Sequence, residues 1–163
     1  MDLSGFEHKD ILLSAMRSEE ESRELYLALK DKVKNAFLRD RLTFLAKEEE
    51  KHRLFIETLY RRDVPEGDIV LPERSVVPLP RVDVDDSMPL SEVMDAAMQG
   101  EKAAAEFYSA VAALYPDDME ARGTLEYFAK MEMGHFQMLQ TEKENLLAME
   151  DFDSSWPMMH VGP

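Results

Sequence analysis

The chain has 163 residues, 45% of them hydrophobic and 33% charged, a composition that suits one domain of amphipathic helices around an apolar core. Its net charge of -15 argues against a nucleic-acid or anionic-membrane partner, because binding to phosphate groups needs clustered Lys and Arg. The chain has no cysteine, which excludes disulfides, thiolate zinc sites, iron–sulfur clusters and cysteine nucleophiles, so any metal must be bound by oxygen and nitrogen.

The first two predicted elements are helices joined by a short turn. Apolar residues recur at three- and four-residue steps over residues 6–29, and a second run of the same kind covers residues 36–62. Ser4 followed by Glu7 is a candidate capping box at the start of the first helix. Because the polar turn between the two runs is short, we expect residues 6–62 to form an antiparallel hairpin.

The next segment, residues 63–88, has no helical period. It is interrupted by Pro65, Pro72, Pro78 and Pro80, and proline removes a backbone donor and breaks a helix interior. About 26 extended residues can reach ~80 Å, which is ample to return along a helix of ~40 Å. The segment is therefore predicted to be a long crossover connection between two hairpins.

Helical periodicity resumes over residues 89–114, and Pro116 then ends the third predicted helix. Asp117, with Glu120 three residues later, resembles a second capping box. It precedes a fourth predicted helix that ends near Ala148. The short connection between these two helices again favours antiparallel packing.

These elements predict an all-α domain over residues 1–150. In it, the first hairpin and a second hairpin over residues 89–150 are joined by the proline-containing crossover into a four-helix bundle. The remaining tail, residues 151–163, shows no period that assigns it a structure.

The two predicted hairpins repeat each other in sequence. A shift of 82 residues aligns the first helix with the third, and a shift of 83 aligns the second with the fourth. The difference of one residue falls in the hairpin turn, where an insertion costs least. The identical pairs that bear on function are Ala15 and Ala97, Met16 and Met98, Glu19 and Glu101, Tyr26 and Tyr108, Ala46 and Ala129, Glu49 and Glu132, and His52 and His135.

Each half thus carries a glutamate on its first helix and Glu-x-x-His on its second. Residues three apart share one helical face, so the glutamate and histidine of each motif can reach the same point. Four inward carboxylates and two imidazoles from four helices are the ligand set of a di-iron or di-manganese bundle. The candidate metal ligands, which are also the candidate catalytic residues, are Glu19, Glu49, His52, Glu101, Glu132 and His135.

Glu-x-x-His alone is a weak signal, because glutamate is frequent in this chain and a surface Glu beside a packed His would look the same. The weight comes from the whole pattern recurring in register in both halves. The other two histidines, His8 and His160, have no glutamate at ligand spacing and lie near the termini. They are therefore left out of the predicted site.

Two further repeated pairs flank the ligands. Tyr26 and Tyr108 lie two turns beyond the first-helix glutamate of their own half, on the same face. They are either aromatic core or hydroxyl donors to a ligand carboxylate, and both descriptions can hold. Glu24 and Glu106 lie five residues from a ligand, well round the helix, and are predicted to be surface charges.

The residues quoted above resemble the rubrerythrin-like di-iron proteins of the ferritin-like superfamily, over nearly the whole chain apart from the tail. The specific marks are Glu19-x6-Tyr26, Ala46-x-x-Glu49-x-x-His52, Glu101-x6-Tyr108 and Ala129-x-x-Glu132-x-x-His135. The resemblance implies bridging roles for Glu49 and Glu132. It implies that the terminal ligands are Glu19, Glu101, His52 and His135.

The sequence departs from full rubrerythrins in two ways. It has no cysteine-ligated rubredoxin domain, so electrons would have to come from a separate protein. The extra glutamate that rubrerythrins carry one turn before the third-helix ligand is replaced here by Met98. The absence of a carboxylate at that position argues against the peroxidase activity that the resemblance implies.

The resemblance implies two iron ions per chain, with manganese or a mixed pair as alternatives, and reduction of hydrogen peroxide or O2 at a diferrous site. The alternatives are a ferroxidase or iron-handling protein, a di-iron hydroxylase of an organic substrate, and a non-catalytic metal-binding interaction bundle. By analogy with such proteins we expect a homodimer. The start of the chain is not basic, and no run of 18 apolar residues occurs, so a cytoplasmic protein is expected.

Overall fold

The computed structural model describes residues 1–66, 68–80 and 88–155, and these contain four α-helices and no strand. The helices are α1 (His8–Lys32), α2 (Ala36–Asp63), α3 (Leu90–Ala112) and α4 (Met119–Ser155). Helices α1 and α2 pack as one hairpin, and α3 and α4 pack as a second. Together they form the predicted four-helix bundle. No helix in the described part of the chain is long and apolar enough to cross a lipid bilayer.

The apolar core is divided into two clusters, one toward each end of the bundle. Both contain residues from all four helices. The first cluster includes Leu12, Ile56, Val111 and Leu125, and the second includes Leu29, Leu45, Met94 and Leu139. Buried polar side chains lie between the two clusters, which shield them from water on both sides.

The structure corrects both predicted capping boxes. Helix α1 begins at His8 with Glu7 as its N-cap, and no side chain bonds to the free amides there. Ser4 lies too far before the first turn to cap it, so that prediction is wrong. Asp118 caps α4, because its Oδ1 accepts a hydrogen bond of 2.9 Å from the Ala121 amide. The predicted cap, Asp117, is one residue too early.

Helix α4 is longer than its apolar pattern indicates. It extends to Ser155 rather than ending near Ala148, so the first part of the predicted tail is helical. No glycine or proline occurs between Gly134 and Pro157, and nothing in the sequence therefore interrupts the backbone hydrogen bonds. Residues 156–163 lie outside the described part of the chain.

The described part of the crossover is non-helical, as predicted, and is anchored on α1. The buried Ser14 hydroxyl accepts hydrogen bonds from the amides of Val76 at 3.1 Å and Val77 at 3.3 Å. The Val77 side chain is itself buried in the first core cluster. These contacts fix the path of the crossover beside α1. Residues 67 and 81–87 lie outside the described part.

Candidate metal centre

The structure brings all six predicted ligands together at the level between the two core clusters. Helices α1 and α3 each contribute one glutamate, and α2 and α4 each contribute one glutamate and one histidine. The exposed fraction of every one of these residues is at most 4%, as measured for Glu19, Glu49, His52, Glu101, Glu132 and His135. Carboxylates are rarely buried to this extent without a partner charge, so the cluster needs a compensating cation or proton.

The six residues form two overlapping groups. In each group one oxygen or nitrogen per residue lies within 4.8 Å of the others, close enough to surround a single cation. The first group consists of Glu19, Glu49, His52 and Glu132, and the second of Glu49, Glu101, Glu132 and His135. Glu49 and Glu132 belong to both, so the arrangement has room for two neighbouring cations with two shared carboxylates.

The Nδ1 atom of each imidazole lies within 3.7 Å of three carboxylate oxygens. For His52 these are Glu132 Oε1 at 2.8 Å, Glu49 Oε2 at 3.4 Å and Glu19 Oε2 at 3.7 Å. For His135 they are Glu132 Oε2 at 3.1 Å, Glu49 Oε1 at 3.3 Å and Glu101 Oε2 at 3.5 Å. Each imidazole therefore faces carboxylates of both hairpins.

The two tyrosines cross between the hairpins. The Tyr26 hydroxyl donates to Glu101 Oε1, and the Tyr108 hydroxyl donates to Glu19 Oε1. Both side chains are also buried in the core, so the two descriptions offered by the sequence hold together. Burial, followed by the charge of Glu19, raises the pKa of Tyr108 well above its usual value, which keeps it protonated as a donor.

Several buried polar atoms in the cluster lack a hydrogen-bond partner. They are Glu49 Oε1, Glu132 Oε1 and both ring nitrogens of His52. The His52 and Glu132 atoms face each other at 2.8 Å, but the angle between them is unsuitable for a hydrogen bond. An unsatisfied buried polar group costs about 1–3 kcal/mol. Carboxylate oxygen and imidazole nitrogen are ligands for iron, manganese and zinc, so the atoms present fit a metal pair.

Without metal, protons have to balance the buried charge. Burial raises the pKa of Glu19 and Glu101 well above the usual carboxyl range. Burial would lower the pKa of His52, but Glu132, Glu19 and Glu49 outweigh it and raise that pKa to about 12. Protons thus occupy the positions that cations would take, and binding of metal would have to displace them.

The residues around the ligands agree with the predicted pattern. Glu24 and Glu106 are exposed on α1 and α3, as expected of surface charges. Met98 and its counterpart Met16 are both buried one turn before the glutamates of α3 and α1. The two halves therefore offer the same donors, and a thioether lies one turn before each of these two glutamates.

A second polar cluster at the end of the bundle was missed by sequence reasoning. His8 Nε2 lies 3.1 Å from Asp63 Oδ2 and 3.0 Å from the Tyr115 hydroxyl. Arg62 joins the group through Asp63 and through Asp118 at 2.6 Å. The partner of His8 is 55 residues away, so spacing along one helix gives no signal for this cluster.

Comparison with known proteins agrees with the site. A solved structure of a hypothetical protein from Pyrococcus furiosus has 29% sequence identity and a TM-score of 0.78, and the match covers 91% of this chain and 95% of that chain. No curated protein matches this sequence. The family model for rubrerythrin matches residues 10–143, a span that includes all six clustered residues and both tyrosines. The chain therefore belongs to the rubrerythrin family, within the ferritin-like superfamily.

Proposed function

We propose that this protein is a non-haem di-iron oxidoreductase that reduces hydrogen peroxide, with electrons supplied by a separate donor protein. The observation that carries the proposal is the pair of four-residue groups that share Glu49 and Glu132. Two bound iron ions would supply the two electrons that a peroxide needs. The chain binds and orients the ions and excludes water.

The roles of the ligands follow from membership of the two groups. Glu49 and Glu132 occur in both groups and would bridge the two ions, in line with the family resemblance. The other four would each serve one ion, Glu19 and His52 on one side, Glu101 and His135 on the other. Four carboxylates against two divalent cations make the buried cluster nearly neutral, which removes the repulsion between the acidic side chains.

Tyr26 and Tyr108 orient the terminal carboxylates. Each hydroxyl holds one oxygen of the glutamate on the opposite hairpin and leaves its other oxygen free to bind a cation. Hydrogen bonds of this kind to a ligand commonly change metal affinity or activity by about 10–100-fold. The two core clusters keep bulk water from the centre, so that the carboxylates act in a medium of low dielectric constant.

Oxidation of iron by O2 is the second candidate function. It uses the same six ligands, and Met98 favours it because, by the family resemblance, rubrerythrins carry an extra carboxylate where this chain has a buried thioether. A ferroxidase would treat iron as its substrate, whereas a peroxidase would keep iron and consume peroxide. The two candidates thus differ in their preferred oxidant and in the fate of the metal.

The test is anaerobic loading with Fe(II), elemental analysis, and stopped-flow oxidation by peroxide and by O2. Much faster oxidation by peroxide supports the proposal, and the reverse order supports the ferroxidase. The Glu24→Ala variant is a matched control, because it removes an exposed carboxylate from α1 and should leave both rates unchanged. A metal content below about one ion per chain in wild-type protein would contradict both functions.

A further inference from the structure

The polar cluster at the start of α1 has the geometry of a proton-coupled redox site. The Tyr115 hydroxyl donates to Asp63 Oδ2 at 2.8 Å, and His8 Nε2 lies 3.0 Å from the same hydroxyl. The carboxylate is thus within the 2.6–3.2 Å that direct proton transfer requires. Tyr115 is buried, while His8 and Asp63 are partly exposed and connect the group with solvent.

The charges around Tyr115 keep its acceptor ionised. Burial would raise the pKa of Asp63, but hydrogen bonds from Arg62, Tyr115 and His8 outweigh it and hold that pKa at about 2. Asp118 balances the other side of Arg62. Asp63 is therefore a carboxylate at any ordinary pH and can accept a proton.

The phenol does not ionise by itself under these conditions. Burial, and then the hydrogen bond to Asp63, raises the pKa of Tyr115 above its usual range. The guanidinium carbon of Arg62 lies 5.6 Å from the centre of the ring. A protonated phenol loses an electron readily only if its proton leaves in the same step, and Asp63 is positioned to take that proton.

Tyr115 follows the helix that carries Tyr108. Tyr108, whose hydroxyl bonds Glu19, lies in α3, and Tyr115 lies three residues beyond the end of that helix, where its amide donates to the Ala112 carbonyl at 3.1 Å. Both tyrosines belong to the same apolar core cluster, together with Val111 and Ala112 between them. The two tyrosines are thus connected through a packed, apolar part of the core.

We propose that Tyr115 is a redox-active tyrosine and that Tyr108 links it to the metal centre as a relay to the end of the bundle. The link rests on the proposed peroxide chemistry, whereas the redox activity of Tyr115 itself does not. The relay acts when a peroxide reaches a centre that holds only one reducing equivalent. Without a second electron, the peroxide would oxidise the ligand side chains instead.

Peroxide takes two electrons from the protein and two protons from solvent to give two waters, and one of the electrons comes from the centre. The second leaves the Tyr115 phenol by way of Tyr108, while the O–H bond breaks and its proton moves to Asp63 Oδ2. This leaves a neutral phenoxyl radical and a protonated carboxyl group. One electron from the external donor, with return of the proton, restores the tyrosine.

The first test uses protein prepared without iron, oxidised by photogenerated ruthenium(III) tris-bipyridine in weak buffer. Transient absorption should show fast formation of a tyrosyl radical, lost in Tyr115→Phe and slowed at least about tenfold in Asp63→Asn. Arg62→Gln is the matched control, since it removes the same ion pair but keeps the proton acceptor, and it should retain the fast phase. A fast phase that survives in Tyr115→Phe would overturn the proposal.

Tyr127 controls for accessibility. It is 59% exposed, and within the described residues no side chain accepts its proton. If exposure alone decided which tyrosine is oxidised, Tyr127→Phe would lose the signal and Tyr115→Phe would keep it. We expect the opposite result. Circular dichroism of each variant checks that the fold is retained.

The second test uses iron-loaded protein reduced by one electron per metal pair, mixed with peroxide and freeze-quenched. Electron paramagnetic resonance should show a radical that narrows with ring-deuterated tyrosine and is absent in Tyr115→Phe. Peroxide consumption without this radical would overturn the relay alone. If no peroxide is consumed, the proposed function fails, and the relay fails with it.

Discussion

The two hairpins match on their inward faces and differ on their outward faces. Inside, each presents the same glutamate, tyrosine and Glu-x-x-His at the same level. Outside, Arg23 and Glu50 of the first hairpin form an ion pair at 3.7 Å. The equivalent positions of the second hairpin are the buried Ala105 and the exposed Met133, which line a groove of about 540 Å³.

This difference separates what the fold requires from what the chemistry requires. A bundle needs apolar residues on its inner face, and many residue types satisfy that need. Repetition of identical buried acids and histidines is not needed for packing and is costly unless their charges are balanced. The inner repeat is therefore explained by a cluster able to bind metal rather than by the helical architecture.

Neither hairpin holds a complete site by itself. Each four-residue group takes ligands from both hairpins, and each tyrosine bonds the glutamate of the opposite one. Binding of metal should consequently fasten the two hairpins together. Variants that change one hairpin only can test whether the two hairpins contribute equally to the site.

The largest effect is expected from the shared carboxylates. Glu49→Ala and Glu132→Ala each remove a residue that belongs to both groups, so each should lower metal content strongly and to the same extent. Glu24→Ala and Glu106→Ala remove exposed carboxylates from α1 and α3 and should bind as much metal as wild type. Elemental analysis after gel filtration measures this. Equal retention in all four variants would overturn the ligand assignment.

Metal should also raise thermal stability, because it binds the assembled site and not the unfolded chain. A ligand present at 100 times its dissociation constant adds about 2.7 kcal/mol to the free energy of unfolding. For a domain of this size that corresponds to roughly 5–10 °C in Tm. Calorimetry with and without Fe(II) under anaerobic conditions tests it, and equal melting temperatures would argue against a buried centre.

The tyrosines should give a smaller and symmetrical effect. Tyr26→Phe and Tyr108→Phe each leave one carboxylate without its donor, and we expect each to weaken metal binding by about tenfold. The two variants should weaken metal binding equally, because the two hydrogen bonds occupy equivalent positions in the repeat. Competition with a chelator measures the affinity. An effect in only one variant would show that the two halves of the centre are not equivalent.

The positions of the helices, and the positions along them that carry the clustered residues, could be predicted because both depend on periodicity within one segment. The observed bounds of α2, Ala36–Asp63, differ by one residue from those predicted. The repeat of Glu19 in Glu101 likewise needs no knowledge of packing. These features are local, and local spacing determines which face of a helix a residue occupies.

The partners across the bundle could not be predicted, because spacing along one helix does not show which helix lies opposite. The sequence offers Tyr26 as aromatic core or as a donor to a ligand carboxylate, but it does not show that the acceptor is Glu101, 75 residues away. The Tyr115 cluster was missed for the same reason. The cap at Asp118 rather than Asp117 shows a different limit, since neighbouring acids offer the helix two chemically equal starting points.

The smallest effect is expected on the outer face. The double variant Ala105→Arg with Met133→Glu introduces the same pair of residues into the second hairpin. Ala105 is only 7% exposed, so the arginine side chain must extend along the groove that Ala105 and Met133 line to reach solvent. The equivalent pair, Arg23 and Glu50, is about two-fifths exposed, so the ion pair itself should contribute no more than about 1 kcal/mol to stability.

Metal content of this double variant should equal that of wild type, because none of the six clustered residues is altered. The reverse double variant, Arg23→Ala with Glu50→Met, is the control in the first hairpin. Urea unfolding and elemental analysis measure both quantities. Loss of metal in either variant would mean that the outer face supports the centre, and that the two hairpins are not free to differ there.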